Sequence, residues 1–421
     1  MPMTSTTDAS RDPDPNPDAR RDPGVAARRA RRAVSALFLT NGALFANILP
    51  RYPEIKAALG LDNAAYGIAV AAYPAGAIAA GLAAGVLIRR LGSAQIAVAG
   101  TVLTGIALLL AGLSPTVILF GLALFVGGAS DAITDVAQNA HGLRVQRRYG
   151  RSIINAFHAI WSIGAVLGGC MAAAAIAFGI PVGVHLSIST ALFAAVALTA
   201  RRFCLPGRDD ELDELDEAGS AERPAAPAAG RRGVSGRTVA MLAMLTLVAM
   251  AGAVAEDAGN TWATLYLADS LGAAAAVAPL GFIALVGAQF IGRIIGDGMV
   301  DRFGQRAVAR TGGLITAVGM GLALAFPSVP GTILGFAAAG FGTATLIPAA
   351  MHAADELPGI RAGMALTIVS WLLRIGFLLS PPFVGFIAEN ESLRAGLLIA
   401  PAAGIVAILF AGALEKRRAT G

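Results

Sequence analysis

The sequence predicts an all-α membrane protein, with twelve transmembrane helices in two pseudo-symmetric six-helix bundles. Three observations carry this. Of 421 residues, 56% are hydrophobic and only 14% charged, against about 25% charged in a soluble domain. The charges are segregated, so that residues 91–130, 152–200 and 311–354 contain no Asp, Glu, Lys or Arg. The chain also resembles itself at an offset of 212 residues: Leu59-Gly60 falls on Leu271-Gly272, Arg90-x-Gly92 on Arg302-x-Gly304, Ile163-Gly164 on Ile375-Gly376, and His141 one residue from His352.

Each element follows from these runs. A charge-free apolar run of about 18 residues or more reads as a membrane-spanning helix, and one of about forty as two helices joined by a turn. Lipid admits only helices or closed barrels, because every backbone polar group must be satisfied internally. Continuous Ala- and Leu-rich runs exclude the barrel, whose strands alternate over short segments. Residues 1–32, rich in Pro, Asp and Arg, read as a disordered tail. Spans 1 to 6 are expected at 33–50, 64–88, 95–113, 116–140, 153–178 and 181–200. A polar linker covers 201–237. Spans 7 to 12 follow at 238–266, 272–298, 307–326, 329–351, 362–387 and 394–414, and 415–421 is a short tail. The basic "RRARR" before span 1 invites comparison with a signal peptide. The long leader and the eleven later spans argue instead for a retained anchor.

The loops orient the chain. Arg28, Arg29, Arg31 and Arg32 precede span 1, Arg89 and Arg90 follow span 2, and Arg144, Arg147, Arg148 and Arg151 follow span 4. Arg302, Arg306 and Arg310 follow span 8, and Lys416, Arg417 and Arg418 follow span 12. The opposite loops ("LSPT", "GIPVG", "FPSVPGT") lack positive charge. Positive-inside bias places both termini and the linker in the cytoplasm of a bacterial inner membrane. The net charge of +5 is spread as punctuation between spans, not as a patch, which argues against nucleic acid. The linker's "DDELDELDE", Asp209 to Glu217, reads as a solvated, self-repelling run. Cys170 and Cys204 read as small apolar filler. No phosphate-binding G-x-x-x-x-G-K-[ST], H-E-x-x-H or paired-Cys pattern occurs, so ATP hydrolysis, enzyme chemistry, metals and cofactors have no support. A monomer is expected.

Two parallel six-helix halves joined by a linker suggest a carrier with its binding site between the halves at the midplane. Here the chain resembles the major facilitator superfamily, over roughly residues 30 to 415. "DGMVDRFGQR", Asp297 to Arg306, is similar to that family's G-x-x-x-D-R-x-G-R-type loop signature: Asp301, Arg302, Gly304 and Arg306 match, and Asp297 stands where the family often has Gly. The first-half copy, "GVLIRRLG", keeps Gly85, Arg90 and Gly92 but has Arg89 where the family has Asp. The resemblance implies gating roles for Arg90, Asp297, Asp301 and Arg302. "DVAQNAHG…FHAIWSIGAVLGG" and "EDAGNTWATLYLADSLG" resemble the fucose-permease-like branch of bacterial uptake carriers, which implies proton symport of a small polar, sugar-like solute.

Polar residues within the spans are the informative remainder, because a charge at mid-bilayer costs about 2.5–3.5 kcal/mol on insertion scales. In span 4, Asp131, Asp135 and Asn139 share one face at i, i+4, i+8, and that face should look onto a central cavity. Asp131 or Asp135 could carry the proton, or the acids could simply pair with cations across the bundle. Span 5 offers His158 and Trp161 on one face, as solute ligands or as a packing pair. In span 7, Glu256 and Asp257 point about 100° apart, so at most one should face the cavity squarely; Glu256 is favoured, with Asn260 and Trp262 toward the solute and Gly259 loosening the helix. The alternative is that this helix ends early in a wet vestibule. In span 11, Arg374 stands within an otherwise uncharged stretch, 362–388. It needs a carboxylate or anionic ligand, and Asp131 is the expected cross-half partner, with Trp371 nearby. Asn41 and Asn47 of span 1 are weaker candidates. His141, Arg144, Arg148, His352 and Asp355 read as gate contacts or anchors at the cytoplasmic ends, and His185 has no evident role.

The expected function is therefore secondary active transport by alternating access, with protons and a small solute as partners. Asp131, Asp135, Glu256 and Arg374 would couple the proton, and Asn41, Asn139, His158, Trp161, Asn260, Trp262 and Trp371 would contact the solute. The rivals are a proton-coupled exporter of drugs or metabolites and a transport-like membrane sensor signalling through the acidic linker.

Overall fold

The computed structural model describes residues 24–207, 235–357, 359–360 and 363–414. The acidic run at 209–217 and the basic residues at 416–418 lie outside the described residues. Among the described residues, eleven helices are long and apolar enough to cross a membrane, and twelve if one bent pair is counted as a single span.

Spans 1 and 3 to 6 are the helices Val25–Ile48, Ser93–Gly112, Val117–Tyr149, Ile154–Ala177 and Val182–Arg201. Spans 7 to 9 are Gly236–Leu265, Leu280–Phe303 and Gln305–Ala325. Span 10 is Val329–Thr343 continued by Leu346–Asp355, span 11 is Met364–Asn390, and span 12 is Leu393–Gly396 continued by Ile399–Phe410. Hydroxyl and carboxylate caps begin several of them. Thr116 accepts from the Leu119 amide, Ser235 from Thr238, Ser328 from Gly331 and Asp62 from Ala65, each satisfying an orphan donor of the first turn.

Five spans depart from expectation in a boundary or a bend. Span 1 begins at Val25, inside the stretch expected as a tail, because Ala27, Ala30, Ala33 and Val34 bury one face of its basic first turns. Its Arg31 donates to the Tyr149 hydroxyl at 2.9 Å. Span 4 runs nine residues past 140 and stops where Gly150 turns left-handed, φ 75°. Span 8 starts at Leu280, not 272, because Pro279 fits only a helix start. Span 2 is broken into Asn63–Val70, Ala72–Ala80 and Ala84–Leu91. The ring of Pro74 crowds the Val70 carbonyl and interrupts the helix at Ala71, and a second break at Gly81 bends the final piece by 58°. Span 7 passes straight through Gly259, contrary to expectation. The Leu285 side chain fills the space a Cβ would take there, and the irregularity comes later, as a π turn at Tyr266–Ser270.

The internal repeat is visible in the backbone. Gly60 and Gly272 have φ 61° and 62°, and Gly92 and Gly304 have φ 84° and 83°. These are conformations that Gly adopts without steric cost. Within each half the helices pack closely through small residues, as membrane helices do: span 1 on span 5, span 3 on span 4, span 8 on span 10, and span 9 on spans 10 and 12. Between the halves, the larger contacts gather at one end. There the first piece of span 2 packs along span 11, and span 5 meets span 8. At that end the Asn63 amide donates to Glu389 Oε2 at 2.9 Å, and Tyr66 Oη donates to the Thr261 carbonyl at 3.0 Å. At the other end Arg89, Arg90, Asp297, Asp301 and Arg302 are exposed. The two bundles therefore form a wedge, sealed at one end and open at the end of the linker.

Candidate functional site

A cavity of about 360 Å³ lies at the apex of the wedge, with walls from both halves. The first half contributes Asp131 of span 4 and Tyr73 of span 2; the second contributes Glu256, Asp257 and Asn260 of span 7 and Arg374 of span 11. Phe45, Tyr52 and Phe377 make much of its apolar wall.

The first-half groups are bonded to one another. The Trp161 indole N–H donates to Asn41 Oδ1 at 2.7 Å, and Asn41 Nδ2 donates to Asp131 Oδ1 at 2.6 Å. Asn41 is buried and fixed at both ends. Its interior position exists because spans 1 and 5 approach closely: a Cβ on Gly164 would fall on the Leu39 carbonyl. Tyr73 lies against Asp131, but its buried hydroxyl finds no partner of hydrogen-bonding geometry. One turn toward the open end, Asn139 Nδ2 donates to Asp135 Oδ1 at 3.0 Å, and His158 Nε2 meets Asn139 Oδ1 at 3.1 Å. Asp135 and His158 are exposed to the wedge. The stripe expected on span 4 is thus present and divided, Asp131 in the cavity and Asp135 with Asn139 at its mouth.

The second half differs from expectation. Arg374 makes no hydrogen bond or ion pair among the described residues, and Asp131 is held by Asn41 instead. The long side chain of Arg374 brings the guanidinium beside Gly81 of span 2, on the open-end side of Tyr73. Both span 7 acids line the cavity, although their 100° offset argued for one. Glu256 Oε2 accepts from Gln289 Nε2 at 2.7 Å and lies 3.8 Å from Arg293. Asp257 has only a 3.4 Å contact from Thr261 Oγ1, and its Oδ2 is buried without a partner. Asn260 lines the cavity with Oδ1 also unpartnered. Trp262 does not reach the cavity. It is fully buried, its ring edge-on to Tyr66 at 4.9 Å in the seal between the halves. Trp371 is 37% exposed and does not line the cavity.

Several partners were legible but unread. Arg293 and Gln289 lie inside the expected eighth span, and the rule that singled out Arg374 applies equally to Arg293. Arg51 is buried at the sealed end, bonded to Glu54 at 2.7 Å and to the Ile180 carbonyl, with its Nε 3.4 Å from His185 Nδ1. His185 Nε2 in turn meets Asn47 Oδ1 at 2.7 Å. His185 therefore has a place after all, in a polar plug holding spans 1 and 6 together. At the open end His141 meets Ser93 Oγ at 3.0 Å, and Arg144 donates to the Gly207 carbonyl, which makes both anchors. Outside the membrane helices, burial pushes the Cys204 thiol up to about 11.

Two bundles around a shared polar cavity agree with the sequence comparison. The chain matches the family profile described as Major Facilitator Superfamily over residues 34–297 and 247–420. The chain belongs to the Major Facilitator Superfamily. Among superfamily relatives it is 29% identical over 381 residues to the transporter y4wD of Sinorhizobium fredii, covering 90% of this chain and 96% of that one. It is also 29% identical to the membrane protein MosC of Rhizobium meliloti, covering 89% and 87%. Solved superfamily structures share the fold at low identity. The nucleoside transporter NupG has a TM-score of 0.68 at 14% identity, covering 93% of this chain and 99% of its own. A D-xylose-proton symporter has 0.68 at 17%, covering 91% and 96%. The chain is thus a multi-pass membrane transporter of this superfamily. The loop at Asp297–Arg306 is open: Asp297 and Asp301 make no ion pair among the described residues, Arg302 stacks on the neighbouring Phe303 ring at 5.2 Å, and Arg306 donates to the carbonyls of Gly412 and Leu414 at the end of span 12.

Proposed function

We propose that this transporter is a proton-coupled symporter of a small polar, sugar-like solute, working by alternating access around the cavity. The observation that carries the reading is Asp131: an acid in a cavity shared by both halves, held by a neutral amide donor and no cation. Such a group changes charge at little structural cost, whereas a carboxylate locked to an arginine would not. Arg374, without a fixed partner, is available to a solute or to an acid in another state of the cycle. The arginine-rich loops put the open end of the wedge in the cytoplasm, so the structure corresponds to an inward-open carrier. Asn260 and Arg374 are the proposed solute contacts, with Asn41 and Trp161 acting through Asp131. Asp297, Asp301, Arg302 and Arg90 are proposed to pair when the inner end closes. Inward proton movement supplies about 2.3 kcal/mol per charge for each 100 mV of membrane potential.

The test is reconstitution into liposomes with an imposed pH gradient and a panel of labelled sugars and polyols. Uptake into the acidified-outside orientation supports symport, and expulsion supports the exporter reading. Asp131→Asn should abolish gradient-driven accumulation while leaving solute counterflow; normal accumulation by that variant rules out Asp131 as a proton carrier.

A further inference from the structure

We propose that Asp257 is a proton-binding site, distinct from Asp131, whose protonation permits the seal between spans 2, 7 and 11 to close. The inference rests on the proton-coupled reading above and adds a second site to it.

The two neighbouring acids of span 7 have opposite surroundings. Glu256 is matched by Gln289 at 2.7 Å and Arg293 at 3.8 Å. Asp257 has no cation within ion-pair distance among the described residues, and its only hydrogen bond is the long one from Thr261. Each element packed around it offers neutral or acidic groups. Tyr52 and Tyr66 face it from the first half. Ser380 faces it from span 11, its hydroxyl also buried and unpartnered. Glu256 adjoins it on its own helix. Asp269, beyond Tyr66, pairs with Lys56 at 3.9 Å. The cavity's remaining charges are Asp131, bonded to Asn41, and Arg374, which reaches away toward the open end.

A buried carboxylate without a cation or strong donors is expensive, and neutralisation by a proton is the ordinary relief. In the protonated form one oxygen becomes a donor, and the orphan Ser380 hydroxyl can accept from it. Asp257 also sits one turn from the seal itself. Thr261 carries the carbonyl that holds Tyr66, and Trp262 packs on the Tyr66 ring. Closing the seal removes Asp257 from outside water. A neutral Asp257 favours the closed seal, and an ionised one favours an open, wetted outer side. Proton binding from outside is the step O⁻ plus H⁺ to OH, with release to the cytoplasmic wedge once the seal has shut.

Two measurements test this in the full-length protein reconstituted into liposomes. In infrared difference spectra between acid and alkaline pH, the wild type should lose a carboxylic acid C=O band. Asp257→Asn should lack that component and Glu256→Gln should keep it. Asp257→Glu, which retains the acid if the Asn variant folds poorly, should shift the band. The proposal is overturned if the Asn variant keeps the full band or the Glu variant's spectrum matches wild type. The second readout places one cysteine at Ala64, against span 11 in the seal, in a background with Cys170→Ala and Cys204→Ala. Labelling by a membrane-impermeant maleimide from outside should rise with external pH in the parent. In Asp257→Asn the open fraction should fall about a hundredfold and lose its pH dependence, from the cost of a charge in the membrane. The variant-to-parent ratio cancels the intrinsic titration of the thiol. A variant that titrates like its parent overturns the proposal. A wild type without gradient-driven uptake would sink the symport reading instead, while these two readouts still decide Asp257.

Discussion

The two halves of the molecule derive from one repeated pattern, yet they finish their polar groups differently. In the first half Trp161, Asn41 and Asp131 form a closed hydrogen-bonded chain, and Asp135, Asn139 and His158 form another. In the second half Glu256 is satisfied, but Arg374, Asp257 Oδ2 and Asn260 Oδ1 are left without partners among the described residues, where the first half leaves only the Tyr73 hydroxyl unpartnered at the cavity. Satisfied networks hold shape, and unsatisfied buried groups cost free energy until something joins them. The difference suggests a preorganised first half and a second half completed by solute, proton or conformational change.

Variants can break or sharpen that contrast. The largest effect is expected from Arg374→Leu, which should abolish uptake in liposomes while changing stability little, because no native ion pair is lost. Adding Asp131→Asn should not rescue it; recovery of uptake in the double variant would restore a functional Asp131–Arg374 pairing. Asn41→Ala should instead act on stability. It strands both Asp131 and the Trp161 N–H, at about 1–3 kcal/mol, read as lower thermal unfolding in detergent. A variant as stable as wild type would mean that the first-half chain is not a structural network. Gln289→Leu removes one bond to Glu256 and should cost about 1 kcal/mol, with Arg293 still in place. Trp371→Ala should be smallest, leaving solute uptake unchanged. Loss of uptake there would extend the site beyond the cavity described.

The outline of the site was readable in advance at some positions and not at others. Asp131 stood out because a carboxylate in a charge-free run has few places to go, and it lines the cavity. The proximity of His158 to the span 4 stripe followed from counting depth along neighbouring helices. Arg374 is anomalous in the sequence, but the expected Asp131 partner is not the one the fold gives it, since depth along a helix does not fix where a long flexible side chain ends. Trp262 was assigned to the solute because aromatic residues near polar ones suggest a pocket, but it belongs to the seal. Helical angle alone favours Glu256 over Asp257 and carries no information about Gln289 and Arg293 on the next span.

By itself the sequence determined that this is a helical membrane protein of two matched halves, and it located most spans to within a few residues. Hydropathy and length are properties of a segment, and the cost of exposing a peptide group to lipid leaves a segment one choice. The tertiary structure alone decided which end is sealed, where span 2 bends, and which buried polar atoms meet. Those outcomes depend on how each helix is rotated and how closely its neighbours approach, and small residues such as Gly164 allow several approaches until the whole bundle is packed.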